Sequence, residues 1–355
     1  MYTLRNDLGY SKKTITICLV AIAILSLGLK LYTTNFSVLP SEDTFGYVLR
    51  AISHMHGDFT EPARKTLGWS IFVSPFFEIT HPNSFLDYVN IVRGISLGIS
   101  TITILPMYAL ARRFFDEKYS LVAAFLFAIE SHLNYNAGLG LSEPLFILVA
   151  ILAIYFILNK KPEYSFLSFL LVGVLWWIRF NGVVMLLVIS IIYLANFQRS
   201  KSNLLKLAIG ILIFLAVSSP MLIQKYQQYG DPLYFSQGSA LYTGDYSAIL
   251  AENTKSLNYS PLDYIHDHGI AGFLQKFIAG GIYHVLDQAA KLSLPYLFYM
   301  LPFGILFSFR AFDQNPKYIR ANWIVILITL GSFVTYFAVV QERRLIFHTV
   351  PFLII

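Results

Sequence analysis

Ionisable side chains are scarce in this sequence, and those able to do chemistry fall in a few short groups. Glu42 and Asp43 stand side by side in "SEDTFGYVLRA". Arg64 and Lys65 precede an apolar run in "EPARKTLGWSIFVSPFF", and Glu143 opens another in "LSEPLFILVAILAIYF". Arg179 ends a run in "WWIRFNGVV", and Glu342, Arg343 and Arg344 cluster in "VVQERRLIFHTVP". Carboxylates beside long apolar runs are costly to desolvate, which makes them functional candidates. A carboxylate can take a proton from a nucleophile, and cations at headgroup depth can clamp a phosphate, Arg through a bidentate fork. Each group also has a structural reading. Ser41 could cap a helix whose first turn carries Glu42 and Asp43. Ser142, Glu143 and Pro144 form a helix-start signal with Ser142 as cap, and Arg64, Lys65 and Arg179 could snorkel to the interface. For Glu42 and Asp43 the two readings are compatible, because a cap fixes where a catalytic carboxylate stands.

The histidines carry less. His54 and His56, and the run His266, Asp267, His268, look like metal ligands, but a spacing of two on a helix points side chains apart. No metal set is assigned; a divalent cofactor is compatible with the sequence and not required by it. Gly94 and Gly98 form a GxxxG pattern that suggests close helix packing. No dinucleotide, P-loop, zincin or nucleophile-elbow motif occurs.

The elements that must position these residues are read from composition. The chain has 355 residues, 56% hydrophobic and 13% charged, with mean hydropathy +0.60. A soluble protein would carry about 25% charged residues. Several apolar stretches approach the roughly 20 residues that cross a bilayer. They are continuous rather than alternating, which excludes a membrane barrel. The expected fold is all-α: a polytopic integral membrane protein with about ten transmembrane helices. The expected spans are 14–31, 88–110, 119–133, 143–158, 165–180, 182–197, 204–223, 293–309, 321–340 and 345–355. The polar, basic N-terminus precedes an apolar run without a small-residue cleavage site, so the first span is read as retained. Cys18 is the single cysteine, which excludes an intrachain disulfide and a cysteine-based metal site.

The net charge of +6 follows topology and is not a nucleic-acid signal. The N-terminal tail and the linkers "ARRFFDEK", "NKKPEYS", "FQRSKSN" and "FRAFDQNPKYIR" are basic and lie at every second connection. The positive-inside rule places them and the N-terminus in the cytoplasm. Of the twenty acidic residues, only Asp7, Asp116, Glu117, Glu163 and Asp313 fall on that side. Two long regions, 32–87 and 224–292, are expected outside, and loops of such length are usually functional. Both contain amphipathic stretches, "FGYVLRAISHM" and "IAGFLQKFIAGGIYHVLDQAA", expected as helices along the membrane face. The whole is read as one domain, residues 1–355. Its last run is too short to cross the membrane, so a C-terminal part is expected to follow.

In order, "SEDTFGYVLRA", "KTLGWSIFVSPFF", "LSEPLFILVAILAIYF", "GVLWWIRFNGVVML", "SSPMLIQKYQQYGDPLYFS" and "QERRLIFHTVPFL" resemble the multi-pass GT-C glycosyltransferases. The resemblance is to the branch of dolichyl-phosphate-mannose protein mannosyltransferases and aminoarabinose transferases, and covers nearly the whole chain. It implies a sugar donor carried on a polyprenyl or dolichyl phosphate and used at the outer face of the cell membrane. The acceptor would be a protein, lipid or glycan, and no nucleic acid would be involved. In the first-loop motif Asp43 is the better match, with Tyr47 downstream, and Glu42 stays a candidate beside it. Asp43 would then be the general base. Arg64, Lys65, Arg179 and Arg343 would stabilise the lipid phosphate as it leaves. Glu143 and Tyr47 would contact substrate, and one in-line displacement would invert the anomeric centre.

Two other classes fit the composition. A transporter or lipid flippase would place ionisable residues near the midplane and show repeated halves. Here the charges lie at the ends of spans and the halves do not match, which favours the enzyme. A non-catalytic membrane subunit would keep the fold and lose the chemistry. Consumption of a lipid-phosphate sugar separates these readings.

Overall fold

The computed structural model describes residues 10–60, 65–247, 259–293, 296–309 and 316–355. Every regular element among the described residues is helical. Helix α1 spans Lys12–Thr33, α2 Glu42–Met55, α3 Gly68–Thr80, α4 Phe85–Ile102, α5 Ile104–Ala111 and α6 Glu117–Ile129. There follow α7 at Ser131–Gly138, α8 at Glu143–Ile157, α9 at Ser165–Ile178, α10 at Val184–Asn196, α11 at Lys201–Tyr229 and α12 at Ser236–Leu241. Further helices run over Pro261–Phe273, Gly281–Ser293, Tyr296–Phe309 and Pro316–Ser332.

The core is built round α8, whose side chains are buried on nearly every face. A helix apolar all round belongs inside a bundle, and α8 packs against α9, α5, α4 and α7. α11 lies along α9, and α1 packs on α6 and α7 at the edge.

Among the described residues three helices are long and apolar enough to cross a membrane: Lys12–Thr33, Phe85–Ala111 and Lys201–Tyr229. A bent pair, Pro261–Ser293 with Tyr296–Leu306, would make a fourth. The expectation of about ten full spans is therefore met only in part. α8, α9 and α10 are shorter apolar helices. The expected span 119–133 breaks at Glu130, whose extended backbone and N-capping carboxylate start α7. The expected span 345–355 is a 3-10 segment, Arg343–Thr349, followed by the short helix Val350–Ile354. The expected region 224–292 starts inside α11, which continues to Tyr229 and stops at Gly230 with φ 75°. That left-handed end favours glycine.

Local signals account for several helix starts. Ser41 caps α2, accepting from the Thr44 amide at 3.4 Å, with Glu42 and Asp43 in the first turn. Ser84 and Asp87 form a reciprocal capping box at α4. Ser142 does not cap α8; its hydroxyl turns toward Tyr47 and Arg179 instead. The expected Gly94–Gly98 packing seam is also absent, since a Cβ at either position would meet nothing within 4 Å.

Candidate active site

The amphipathic pattern of α2 decides what this helix does. Thr44, Tyr47, Val48, Ala51 and His54 recur at three- and four-residue steps and are buried, while Phe45 and Leu49 stay exposed. Burying that stripe brings α2 onto α3 and onto the turn between α7 and α8. Thr44 Oγ1 donates to the Leu139 carbonyl at 2.7 Å. Trp69 Nε1 donates to the Gly140 carbonyl at 3.2 Å, and Ser70 Oγ to the Tyr47 carbonyl at 3.1 Å. The turn reverses at Gly140, φ +77°, which delivers the N-terminus of α8 beneath α2. Gly68 lets α3 touch the end of α9: a Cβ there would lie 2.5 Å from the Trp177 carbonyl carbon.

These contacts enclose a cavity of about 360 Å³. Its charged lining is Asp43, Lys65, Glu143, Arg179, Glu342 and Arg344, three acids and three bases. They are paired in two sets. Asp43 receives Lys65 Nζ at 2.7 Å and also the Arg344 guanidinium. Arg344 forks, its Nε donating to Glu342 at 2.8 Å, and the other Glu342 oxygen accepts from Tyr246 Oη at 2.9 Å. The second set is deeper: Arg179 meets Glu143 at 2.5 Å, with the glutamate side chain 5% exposed. Tyr47 and Ser142 lie 3.3 Å apart between the sets, and Lys65 stands 5.1 Å from the Tyr47 ring centre. Elsewhere in the lining Phe180 and Phe235 stack at 4.2 Å, and Tyr336 donates to Gln237 at 2.9 Å.

Burial pushes the Asp43 carboxyl up, but the adjacent Lys65 and Arg344 charges outweigh it and hold the group down at about 2. Asp43 is therefore ionised and in its pairs at neutral pH.

Of the residues singled out by sequence, Asp43, Tyr47, Lys65, Glu143 and Arg179 line one cavity. Glu42 is exposed and does not line it. Arg343 is exposed as well, and its neighbour Arg344 takes the cavity position. Arg64 lies outside the described residues. Sequence reasoning noted Glu342 in its cluster but gave it no role, and missed Tyr246, which no local pattern marks. The histidine groups stand apart from the cavity lining. His54 bonds the Asp58 carbonyl at 2.7 Å, and His266 is exposed beside Asp267. Among the described residues no group of three or more metal-ligating side chains is assembled.

Comparison with known proteins places this architecture. Residues 87–224 match the family described as dolichyl-phosphate-mannose-protein mannosyltransferase. The apo oligosaccharyltransferase of Archaeoglobus fulgidus superposes with TM-score 0.64 over 97% of this chain and 50% of its own, at 15% identity. The fold is the GT-C fold. ArnT from Cupriavidus metallidurans, bound to undecaprenyl phosphate, shares it with TM-score 0.64, 13% identity, and coverage of 97% of this chain and 59% of that one. A third GT-C structure is the archaeal oligosaccharyltransferase AglB of A. fulgidus in complex with an inhibitory peptide and a dolichol-phosphate. It matches with TM-score 0.57 at 16% identity, over 96% of this chain and 50% of its own. The chain thus spans about half the length of the oligosaccharyltransferases and somewhat more of ArnT. No curated protein matches the sequence.

Proposed function

We propose that the protein is a glycosyltransferase that moves a sugar from a polyprenyl- or dolichyl-phosphate carrier to a nucleophile at the outer face of the cell membrane. The observation that carries this is the cavity itself: one carboxylate, Asp43, held between two cations, with a second acid–base pair beside it. The match of residues 87–224 to the mannosyltransferase family supports it, as do lipid phosphates named in two structures of the same fold. The basic linkers, which favour the cytoplasmic side, support an outer location for the α2–α3 end of the bundle.

A lipid phosphate leaves as a stable anion, so its departure needs cations more than a proton. Lys65, Arg179 and Arg344 provide three at one wall, in a partly dehydrated site where charge stabilisation is strong. The acceptor must lose a proton as it attacks, and Asp43 takes it. Displacement from the face opposite the phosphate inverts the anomeric carbon, as in any single in-line substitution.

The pairing also sets an order. With Lys65 and Arg344 committed to it, Asp43 is a weak base. A bound phosphate neutralises those cations, the burial that opposes ionisation then dominates, and the basicity of Asp43 rises. The base is strengthened once the donor is in place, which limits proton abstraction from an acceptor that has nothing to attack. The deciding experiment is to incubate purified protein with a panel of polyprenyl- and dolichyl-phosphate sugars and follow release of the lipid phosphate. Consumption of at least one donor, lost in Asp43→Asn, is expected. A protein that binds and moves the carrier across vesicles without breaking the sugar–phosphate bond would be a flippase instead.

A further inference from the structure

The three acids and three bases of the cavity lining balance in charge, so an incoming phosphate finds every cation already paired. Something must yield. Arg179 and Glu143 are the most enclosed pair, and Asp43 is fixed on α2 by the Ser41 cap and by two cations. Glu342 is different. It precedes the 3-10 segment Arg343–Thr349 in extended backbone, its side chain is 33% exposed, and among the described residues its cation partner is Arg344. Its second oxygen is held by Tyr246, a residue 96 positions earlier, a few residues beyond the end of α12.

We propose that Glu342 is an exchangeable counter-anion: it holds Arg344 in the empty site, tethered by Tyr246, and gives that guanidinium up to the phosphate of the lipid carrier. The inference rests on the reading that this cavity takes a lipid-linked phosphate, and it assigns that phosphate a position at Arg344 Nε. Glu342 meets Arg344 through one carboxylate oxygen at Nε, and a phosphate oxygen is an equally good charged acceptor for that N–H, so one replaces the other without rebuilding the arginine. Exchange releases Glu342 from Arg344 and thereby loosens the Tyr246 tether, which couples donor binding to the chain segment after α12. Glu342 is a positioning residue in this scheme and touches no reacting atom.

The test titrates undecaprenyl phosphate in detergent micelles into wild type, Glu342→Gln and Tyr246→Phe, with inorganic phosphate titrated in parallel. Glu342→Gln keeps the acceptor for Tyr246 and removes the competing charge, and is expected to bind the lipid about tenfold tighter. Tyr246→Phe changes no charge at neutral pH but removes the tether, and is expected to bind about threefold tighter. Tighter binding in Glu342→Gln alone would mark a general charge effect and overturn the exchange. Unchanged or weaker binding in both would overturn it too, making Glu342 a structural partner of Arg344. The same ranking at higher Kd is expected for inorganic phosphate, and a ranking seen only with inorganic phosphate would overturn the lipid assignment. Failure of wild type to bind undecaprenyl phosphate at all would instead remove the proposed function.

Discussion

Lys65→Met tests the electrostatic part of the mechanism without touching the proposed base. Lys65 Nζ lies 2.7 Å from Asp43, and Met keeps the length of the side chain while deleting its charge. In the intact site Asp43 is lowered from 3.8 to about 2 against the opposing effect of burial. That difference corresponds to about 2.5 kcal/mol in favour of the carboxylate. Two cations supply it, and removing one leaves burial in place. The Asp43 pKa should therefore climb by about 1–2 pH units. The sign follows from what the base must do. A depressed carboxyl stays ionised, and active, down to low pH; raising its pKa brings in the protonated, inactive form at higher pH. The dependence of kcat/KM on pH reports groups of the free enzyme, and the donor is a phosphodiester that stays ionised throughout. Wild type is expected to show no Asp43 limb between about pH 4 and 7. Lys65→Met is expected to lose half its kcat/KM at about pH 3–4, whatever its absolute rate. Release of lipid phosphate from a radiolabelled donor, measured from about pH 3 to 7, gives both profiles. Superimposable profiles would mean that Lys65 does not set the ionisation of Asp43, and the ordered strengthening of the base would fall with it.

Three further outcomes follow from the same geometry. Asp43→Asn should lower transfer by about 10²–10⁴-fold, whereas the exposed Glu42→Gln should do far less; equal losses in steady-state assays would spread the base over both acids. Arg344→Ala should cut transfer sharply and Arg344→Lys restore it only in part, because Lys lacks the fork that meets Asp43 and Glu342 together. Arg343→Ala, at an exposed position, should stay near wild type, and the opposite ranking would move the phosphate site by one residue. Gly68→Ala should lower thermal stability by about 1–3 kcal/mol, as overpacked contacts usually do, because its Cβ would press on the Trp177 backbone; an unchanged melting midpoint would show that α3 and α9 can part.

Much of the fold lies in local pattern. Continuous apolar runs and sparse charge make a helical membrane protein whatever the details of packing. The Ser41 cap and the recurrence of Thr44, Tyr47, Val48 and Ala51 specify α2 and its inward face. They also separate the two adjacent acids. Neighbours on a helix point about 100° apart, and Asp43 shares the face of Tyr47 four residues on, while Glu42 does not. That choice was available from spacing alone. The span count was not. Hydropathy records apolar length, but the break at Glu130 depends on which neighbouring helices cover the freed backbone groups. Nor could the sequence choose between Arg343 and Arg344. Both sit in a 3-10 segment, where successive side chains diverge by about 120°, and the turn that aims one of them inward is set by burial of Ile346 and Phe347 in the core. The pair that matters most joins Asp43 to a residue 301 positions away. Propensity and capping act over a few residues, so a contact of that span exists only once α2, α8, α9 and the 343–349 segment have packed together.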